Sequence, residues 1–224
     1  MRGVNDVTKG LILLFILVVY FDCDRAIAGG KSRQDTSDST TLISSSEGSG
    51  QTVQRPLADE YAEGYEKYIN LVPEGDYLSL LKRNSRETIA FFEGIPDEKL
   101  DYRYAQGKWT IKEVFMHLID TERVFSYRGL VAARGDISPH YRMDEELYAR
   151  NVDVSERLLQ SLIAEFKAVR TSTEQLYEHM TDEQSERVCN VVTHPMSARA
   201  IGYFTIGHIN HHLNVVRERY LNAS

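Results

Sequence analysis

The chain has 224 residues, of which 42% are apolar and 26% charged, and its formal net charge is −7. These values are typical of a globular protein with one hydrophobic core, and the acidic balance argues against a nucleic-acid partner, which usually requires a basic face. The two cysteines, Cys23 and Cys189, are too few for a disulfide framework, so the core must hold the fold.

Residues 1–28 have the pattern of an export leader. A basic start is followed by an apolar run, Leu11 to Phe21, and by the small residues Ala26 and Ala28 before a cleavage point. The run is short for a membrane span. The alternatives are a lipoprotein signal modified at Cys23, a retained anchor, and a mis-assigned start codon. We therefore expect an exported or membrane-anchored protein of the cell envelope, or a cytoplasmic one if the leader is not real.

Residues 29–54 are rich in Ser, Thr, Gly and Asp and contain few apolar side chains. Such a stretch cannot bury enough surface to offset its ordering entropy, so it is interpreted as a flexible linker. The composition changes at Arg55, where tyrosines, leucines and paired charges begin. Residues 55–224 are accordingly predicted to form the folded domain.

Four long segments of this domain have helical periodicity. The first is expected from about Tyr77 to Ile95, after a shorter helix around 59–68, and the second from Thr110 to about Arg134. Thr110 and Glu113 form a capping box at the start of the second helix, and Gly135 can end it.

The third helix is expected from Asp153, with Glu156 completing a capping box, to about Met180, and a further box at Thr181 opens a short helix. The fourth runs from about Ser197 to Tyr220. No alternating strand pattern is present. The predicted fold is an all-α four-helix bundle with long loops after the second and third helices.

Histidines at helical spacing mark a candidate metal site. His208 and His212 are four residues apart, so they lie about 40° apart on one face of the fourth helix, where leucines would otherwise be expected. Burying two imidazoles without partners costs about 1–3 kcal/mol each, and a shared divalent cation would satisfy both. The alternative is that both are buried histidines bonded to backbone or carboxylate groups.

A third ligand must come from another helix, and His117 at the flank of the second helix's apolar stripe is the best candidate. Asp120 and Glu122 follow it and could orient it or a bound water. His211 points to a different face and is interpreted as a second-shell or surface group. Further candidates to line or brace a pocket are Tyr102, Tyr104, Trp109, Arg123, Tyr127 and Arg128.

Two blocks of sequence carry a resemblance to a known family. The first comprises Gly107–Glu113, His117–Arg123, Tyr127–Arg128 and Ala133–Asp136, and the second comprises Gly207–His212 and Arg217–Tyr220. In this order they resemble the DinB-like superfamily, which includes DinB and YfiT-type proteins. The resemblance covers about residues 55–221. The loop Ser138–Met143 lacks the glycine-phenylalanine turn expected in close relatives, so the substrate pocket is expected to differ.

The resemblance implies a four-helix bundle, usually a homodimer, with a divalent metal held by three histidines that match His117, His208 and His212. Some relatives are metal-dependent transferases that use low-molecular-weight thiols. The predicted leader puts a thiol in question, because reduced thiols are scarce outside the cytosol. Zinc is the expected ion, with nickel, iron or copper as alternatives.

Three imidazoles would leave the metal with its full charge and an open position, the pattern of a catalytic site. Three functions stay open at this stage: a transferase that acts on small electrophilic substrates, a hydrolase, and a non-catalytic bundle with a structural or stress-related role. Cys189 is a weak candidate nucleophile, because no neighbouring residue in the sequence would lower its pKa.

Overall fold

A computed structural model describes residues 53–191 and 194–222, and the predicted leader and most of the predicted linker lie outside these residues. Four long helices form the bundle: α2 (Tyr77–Glu93), α3 (Ile111–Ala133), α5 (Leu159–Glu178) and α7 (Ala198–Val215). Helix α3 packs against α5 and α7, and α2 packs against the same two, so the helices follow the cyclic order α2, α5, α3, α7. This is the predicted four-helix bundle.

Shorter elements surround the bundle. Turns of 3-10 helix at Ala58–Glu60 and Glu63–Tyr65 lead into α1 (Glu66–Ile69), which lies against α7. A further 3-10 turn, Asp97–Lys99, follows α2, and α7 continues into a π-helical turn, Val216–Leu221. In the part of the chain that the structure describes, no helix is long and apolar enough to cross a membrane.

Side-chain caps fix the starts of three bundle helices. Asp76 accepts a hydrogen bond from the backbone of Ser79 at α2, and Ser197 accepts one from Ala200 at α7. At α3 the predicted capping box is present, with Thr110 Oγ1 3.1 Å from the Glu113 amide. Gly135, just past the end of α3, has a positive φ of 74°, which glycine adopts without strain.

The start of α5 differs from the prediction. Asp153 accepts a hydrogen bond from the amide of Ser155 and so closes a local turn rather than capping a helix. Lys112 donates to the Ser155 carbonyl at 2.6 Å, which holds this turn against the start of α3. The helix therefore begins only at Leu159, after an N-cap residue without a side-chain hydrogen bond.

Both long connections contain regular structure that was not predicted from the sequence, in addition to the short helix predicted at Thr181. The connection after α3 includes α4 (Glu145–Asn151), capped by Asp144. The connection after α5 includes α6 (Asp182–Glu186), which has the predicted cap at Thr181, and an antiparallel hairpin of β1 (Val188–Val191) and β2 (His194–Ser197). The absence of strands was thus wrong for one short hairpin, which packs on α3.

The folded region also includes Val53, which is buried in the core although the linker was predicted to extend to residue 54. Arg55, two residues later, donates to the carbonyl groups of Ile69 and Val72. These contacts tie the incoming chain to the end of α1 and to the segment that follows it.

The interior consists of two apolar clusters with a polar layer between them. One cluster includes Tyr77, Phe125, Tyr177 and Phe204, and the other includes Phe92, Phe115, Phe166 and Ile209. On each bundle helix, some buried polar side chains lie at or near the point along the helix where residues of one cluster give way to residues of the other. This layer contains Asn84 and Thr88 on α2, Thr121 and Glu122 on α3, Arg170 and Thr173 on α5, and Thr205 and His208 on α7.

Candidate metal centre

Three histidines from two bundle helices converge in the interior, and they are the three predicted as metal ligands from the sequence. His117 lies on α3, and His208 and His212 lie one turn apart on α7. The Nε2 atom of His208 is 3.3 Å from that of His117 and 3.1 Å from that of His212. One nitrogen from each ring lies within 4.8 Å of the others. We refer to these residues as the histidine cluster.

Burial keeps the cluster neutral. Desolvation lowers the pKa of His117 to about 4 and that of His212 to about 3. Burial also holds the pKa of His208 well below its usual value, with a further contribution from the charges of the neighbouring histidines. All three imidazoles therefore carry a free lone pair at neutral pH, which is the form that binds a metal.

The arrangement of the Nε2 atoms fits a cation better than a proton network. A neutral imidazole nitrogen is either a donor or an acceptor, but the Nε2 atom of His208 faces two other Nε2 atoms. One proton on it can serve only one of these contacts. Two nitrogens bound to zinc at tetrahedral angles would lie about 3.3 Å apart, which agrees with both separations. The donor set thus fits a divalent metal with three protein ligands.

Aromatic side chains enclose the cluster. The Trp109 ring lies 4.9 Å from that of His117, and the Phe125 ring lies 5.4 Å from that of His208, measured between ring centroids. Thr121 donates to the backbone carbonyl of His117. Trp109 thus lies beside His117, and the aromatic rings limit the access of water to the imidazoles.

The two predicted carboxylates make other interactions. Asp120 borders a small cavity together with His117, but its carboxylate pairs with Arg123, and burial raises its pKa. The structure places Glu122 away from the cluster, in a buried ion pair with Arg170. Among the described residues, neither carboxylate hydrogen-bonds to a histidine of the cluster.

Two other candidates lie outside the cluster. Tyr127 is 55% exposed and lies against His140 in a separate groove, so it does not line the metal centre. His211 is half-buried, 5.1 Å from the His212 ring and 5.2 Å from the Tyr68 ring, and it is not part of the three-histidine group.

Most of the remaining pocket candidates also lie outside the cluster. Tyr102 and Tyr104 pack on Tyr220, in the π-helical turn after α7, and Arg123 pairs with Glu165. Only Arg128 lines the cavity described next.

A cavity of about 410 Å³ opens beside His208, and we call it the main cavity. Its apolar lining comes mostly from aromatic side chains, and its polar lining includes three cationic residues and one carboxylate. The residues that line it are Gly64, Tyr65, Lys67, Tyr68, Thr121, Phe125, Arg128, Arg142, Met143, Glu145, Val191, His194, Phe204 and His208.

One glycine allows the wall of the main cavity to form. A Cβ atom on Gly207 would lie 2.0 Å from the backbone oxygen of Tyr68, so only glycine lets α1 approach α7 this closely. No pattern in the sequence indicated that α1 and α4 form parts of the site. The Gly207-His208 pair offered the only local signal, since a glycine inside a helix often marks a close approach.

The fold and the site together define the class of protein to which this chain belongs: a helical bundle with a three-histidine cluster beside an open cavity. The family model of the DinB superfamily matches residues 80–216, which is more than half of the chain, and the protein therefore belongs to that superfamily. No curated protein sequence matches the chain.

One solved structure with the same fold is YfiT from Bacillus subtilis, described as "a probable metal-dependent hydrolase with an unusual four-helix bundle topology". The two chains superpose with a TM-score of 0.58 and 18% sequence identity, over 74% of this chain and 90% of YfiT. At this level of identity the similarity establishes the fold.

Proposed function

We propose that this protein is a metal-dependent hydrolase that acts on a small molecule bound in the main cavity. The observation that carries the proposal is the convergence of three neutral imidazoles, two buried and one half-buried, next to a cavity that His208 itself lines. His117, His208 and His212 would hold the ion, with zinc as the first choice and nickel, iron or copper as alternatives. A divalent cation lowers the pKa of a bound water or thiol and so supplies a strong nucleophile at neutral pH.

The protein's own residues position the substrate and handle protons. Phe125 and Phe204 exclude water from one side of the cluster, and Tyr68 covers another part of the cavity wall. Glu145 borders both the main cavity and the small cavity beside His117. Its carboxylate is therefore the group that we assign as proton acceptor for the attacking nucleophile.

Hydrolysis is preferred because it requires only one organic ligand. A volume of about 410 Å³ lies near the lower end of the range of about 300–1,000 Å³ for ligand pockets, and it suits one small molecule. The description of YfiT as a hydrolase agrees with this assignment.

Thiol transfer to a small electrophile is the second candidate, since characterised DinB-like relatives use low-molecular-weight thiols. The thiol would have to come from solution, because Cys189 is fully buried in the hairpin and burial raises its pKa. The homodimer and the export that the sequence suggested stay predictions.

The first test is the metal content of the purified full-length protein, compared with the variants His117→Ala and His208→Ala. The control is His179→Ala, which removes an exposed histidine at the end of α5. We expect close to one divalent ion per chain in the wild type and the control, and loss of the ion in the other two variants. A wild type that takes up no ion from added zinc, nickel, iron or copper would contradict both enzyme functions.

The second test separates the reactions. Metal-loaded protein is assayed for hydrolysis of small esters and amides, and for conjugation of thiols to small electrophiles. Metal-dependent hydrolysis that does not respond to added thiol supports the proposal, and activity that requires a thiol supports the second candidate. Bound metal with neither activity favours the non-catalytic role.

A further inference from the structure

The main cavity contains a buried cation without a counter-ion. Arg128 on α3 is only 8% exposed, yet its one side-chain hydrogen bond runs from Nη2 to the backbone oxygen of Tyr141, at 2.9 Å. No carboxylate of the described residues forms an ion pair with it. The contrast with Arg170 is direct, because that guanidinium, which is even more deeply buried, donates to both oxygens of Glu122.

Burial without a counter-ion is unfavourable for this guanidinium. Desolvation lowers the pKa of Arg128, and electrostatic interactions with Tyr65, Cys189 and Glu145 only partly oppose the effect. Buried charges in folded proteins are normally paired. A cavity-lining guanidinium that keeps free N–H donors is therefore suited to a charged ligand.

The surrounding charges also favour an anion. Two further cationic side chains and one carboxylate line the main cavity, and one more carboxylate shares a neighbouring groove with Arg128. The two cations are Lys67 and Arg142, the carboxylate of the main cavity is Glu145, and that of the groove is Asp136. The other titratable side chains that line the main cavity are Tyr65, Tyr68, His194 and His208. The cavity is thus net cationic before any metal is bound, and its aromatic walls suit an apolar body.

We infer that Arg128 binds the carboxylate of the substrate, so that the enzyme acts on small monoanionic molecules with an apolar or aromatic body. This inference rests on the proposed function for its reaction but not for its binding site. A guanidinium and a carboxylate match as planar groups that can form two parallel hydrogen bonds. With the carboxylate held by Arg128, the rest of the molecule can extend along the cavity towards His208.

The test compares benzoate with benzamide, its neutral analogue of similar size, by isothermal titration calorimetry at pH 7. Both probes are titrated into wild type, Arg128→Met, Arg128→Lys, and the control Arg134→Met, which removes an exposed arginine just past α3. Each protein is measured with zinc and after chelation, because benzoate can also bind to a metal directly.

We expect wild type and the control to bind benzoate at least tenfold more tightly than benzamide, with or without zinc. Arg128→Met should bring the ratio of the two affinities close to one in the chelated protein, and Arg128→Lys should keep part of the preference. An unchanged ratio in Arg128→Met would overturn the inference.

Thermal unfolding supplies a second measurement. Removing an unpaired buried charge should leave the melting temperature of Arg128→Met equal to or above that of the wild type. A large fall would mean that the guanidinium has a stabilising partner inside the protein, which contradicts the inference. Zinc titrations keep the two proposals separate: a protein that prefers benzoate but binds no metal retains the anion site and loses the proposed function.

Discussion

Replacing Glu122 by glutamine tests whether this residue stabilises the bundle or serves the metal centre. Glu122 and Arg170 are each about 1% exposed, and two hydrogen bonds of 2.7 and 2.8 Å join the carboxylate to the guanidinium. Glu122→Gln keeps an acceptor but leaves the Arg170 charge buried without a counter-ion. Breaking a buried pair in this way costs about 3–5 kcal/mol, a large part of the roughly 5–15 kcal/mol that stabilises a typical domain.

The double variant Glu122→Leu/Arg170→Met shows how much of the lost free energy of unfolding comes from the unpaired charge. Replacing both charges by apolar groups should recover part of the loss, because no unpaired charge remains. The recovery should be incomplete, since Arg170 also donates to the carbonyl oxygen of Leu81 and to Asn84 Oδ1. Each acceptor left without a donor costs about 1–3 kcal/mol if water does not replace the arginine.

Urea unfolding measures these changes, with Glu165→Gln as the matched control. Glu165 also pairs with arginines, Arg123 and Arg157, but it is partly exposed, so its loss should cost no more than about 1 kcal/mol. The zinc affinity of folded Glu122→Gln should stay within about threefold of the wild type. A loss of stability below about 1 kcal/mol together with zinc binding weakened tenfold would refute this reasoning and return Glu122 to the metal centre.

Three further predictions concern other parts of the fold. Gly207→Ala should lower the free energy of unfolding by about 1–3 kcal/mol because its Cβ meets the Tyr68 backbone, whereas Gly64→Ala, which meets no atom within 4 Å, should not. Iodoacetamide should modify Cys189 slowly in native protein and rapidly in urea, as read by peptide mass spectrometry, because burial raises the thiol pKa; equal rates would contradict this. Burial raises the pKa of Glu60, but hydrogen bonds from Arg199 and Ser197 outweigh this effect and lower the pKa overall. The contribution of these bonds to the free energy of unfolding is therefore present above the ordinary pKa of a glutamate, and it is lost as the pH falls through the lowered pKa. Glu60→Gln should remove that part of the acid dependence in urea titrations at different pH values, and an unchanged dependence would contradict it.

The parts of the fold that the sequence predicted are those fixed by local chemistry. The cap at Thr110, the spacing of His208 and His212, and the glycine after α3 each act within one or two helical turns. The choice of His117 required more, because its distance from His208 depends on how α3 packs against α7. Its position at the flank of the apolar stripe made it a candidate, and the pair on the fourth helix and the resemblance to the DinB-like superfamily selected it.

The parts that the sequence did not predict depend on contacts between distant segments. Asp153 matched a capping pattern, but Lys112 holds the following turn against α3, and the helix starts later. The hairpin strands have four residues each, and the buried Cys189 and Met196 pair across them, with no turn motif in the sequence to mark them. The main cavity combines residues from α1, α3, α4, β1, β2 and α7, so no single stretch of sequence contains its pattern.

The Glu122–Arg170 pair and the histidine cluster differ in whether their polar atoms find partners inside the protein, and this difference leads to a prediction about metal removal. Glu122 and Arg170 neutralise each other, whereas the Nε2 atoms of the histidine cluster cannot all be paired by protons. A cation that binds only the folded state stabilises it by mass action, by about 2.7 kcal/mol at a free concentration of one hundred times the dissociation constant.

For a domain of this size such a gain corresponds to a rise in melting temperature of roughly 5–10 °C, which differential scanning fluorimetry can follow. Chelation should reverse the rise. His208→Ala should abolish it, because the variant removes the central nitrogen of the cluster, whereas His179→Ala should retain it. An equal rise in His208→Ala and wild type would mean that zinc binds elsewhere, and the three-histidine assignment would then fail even if the protein contained metal.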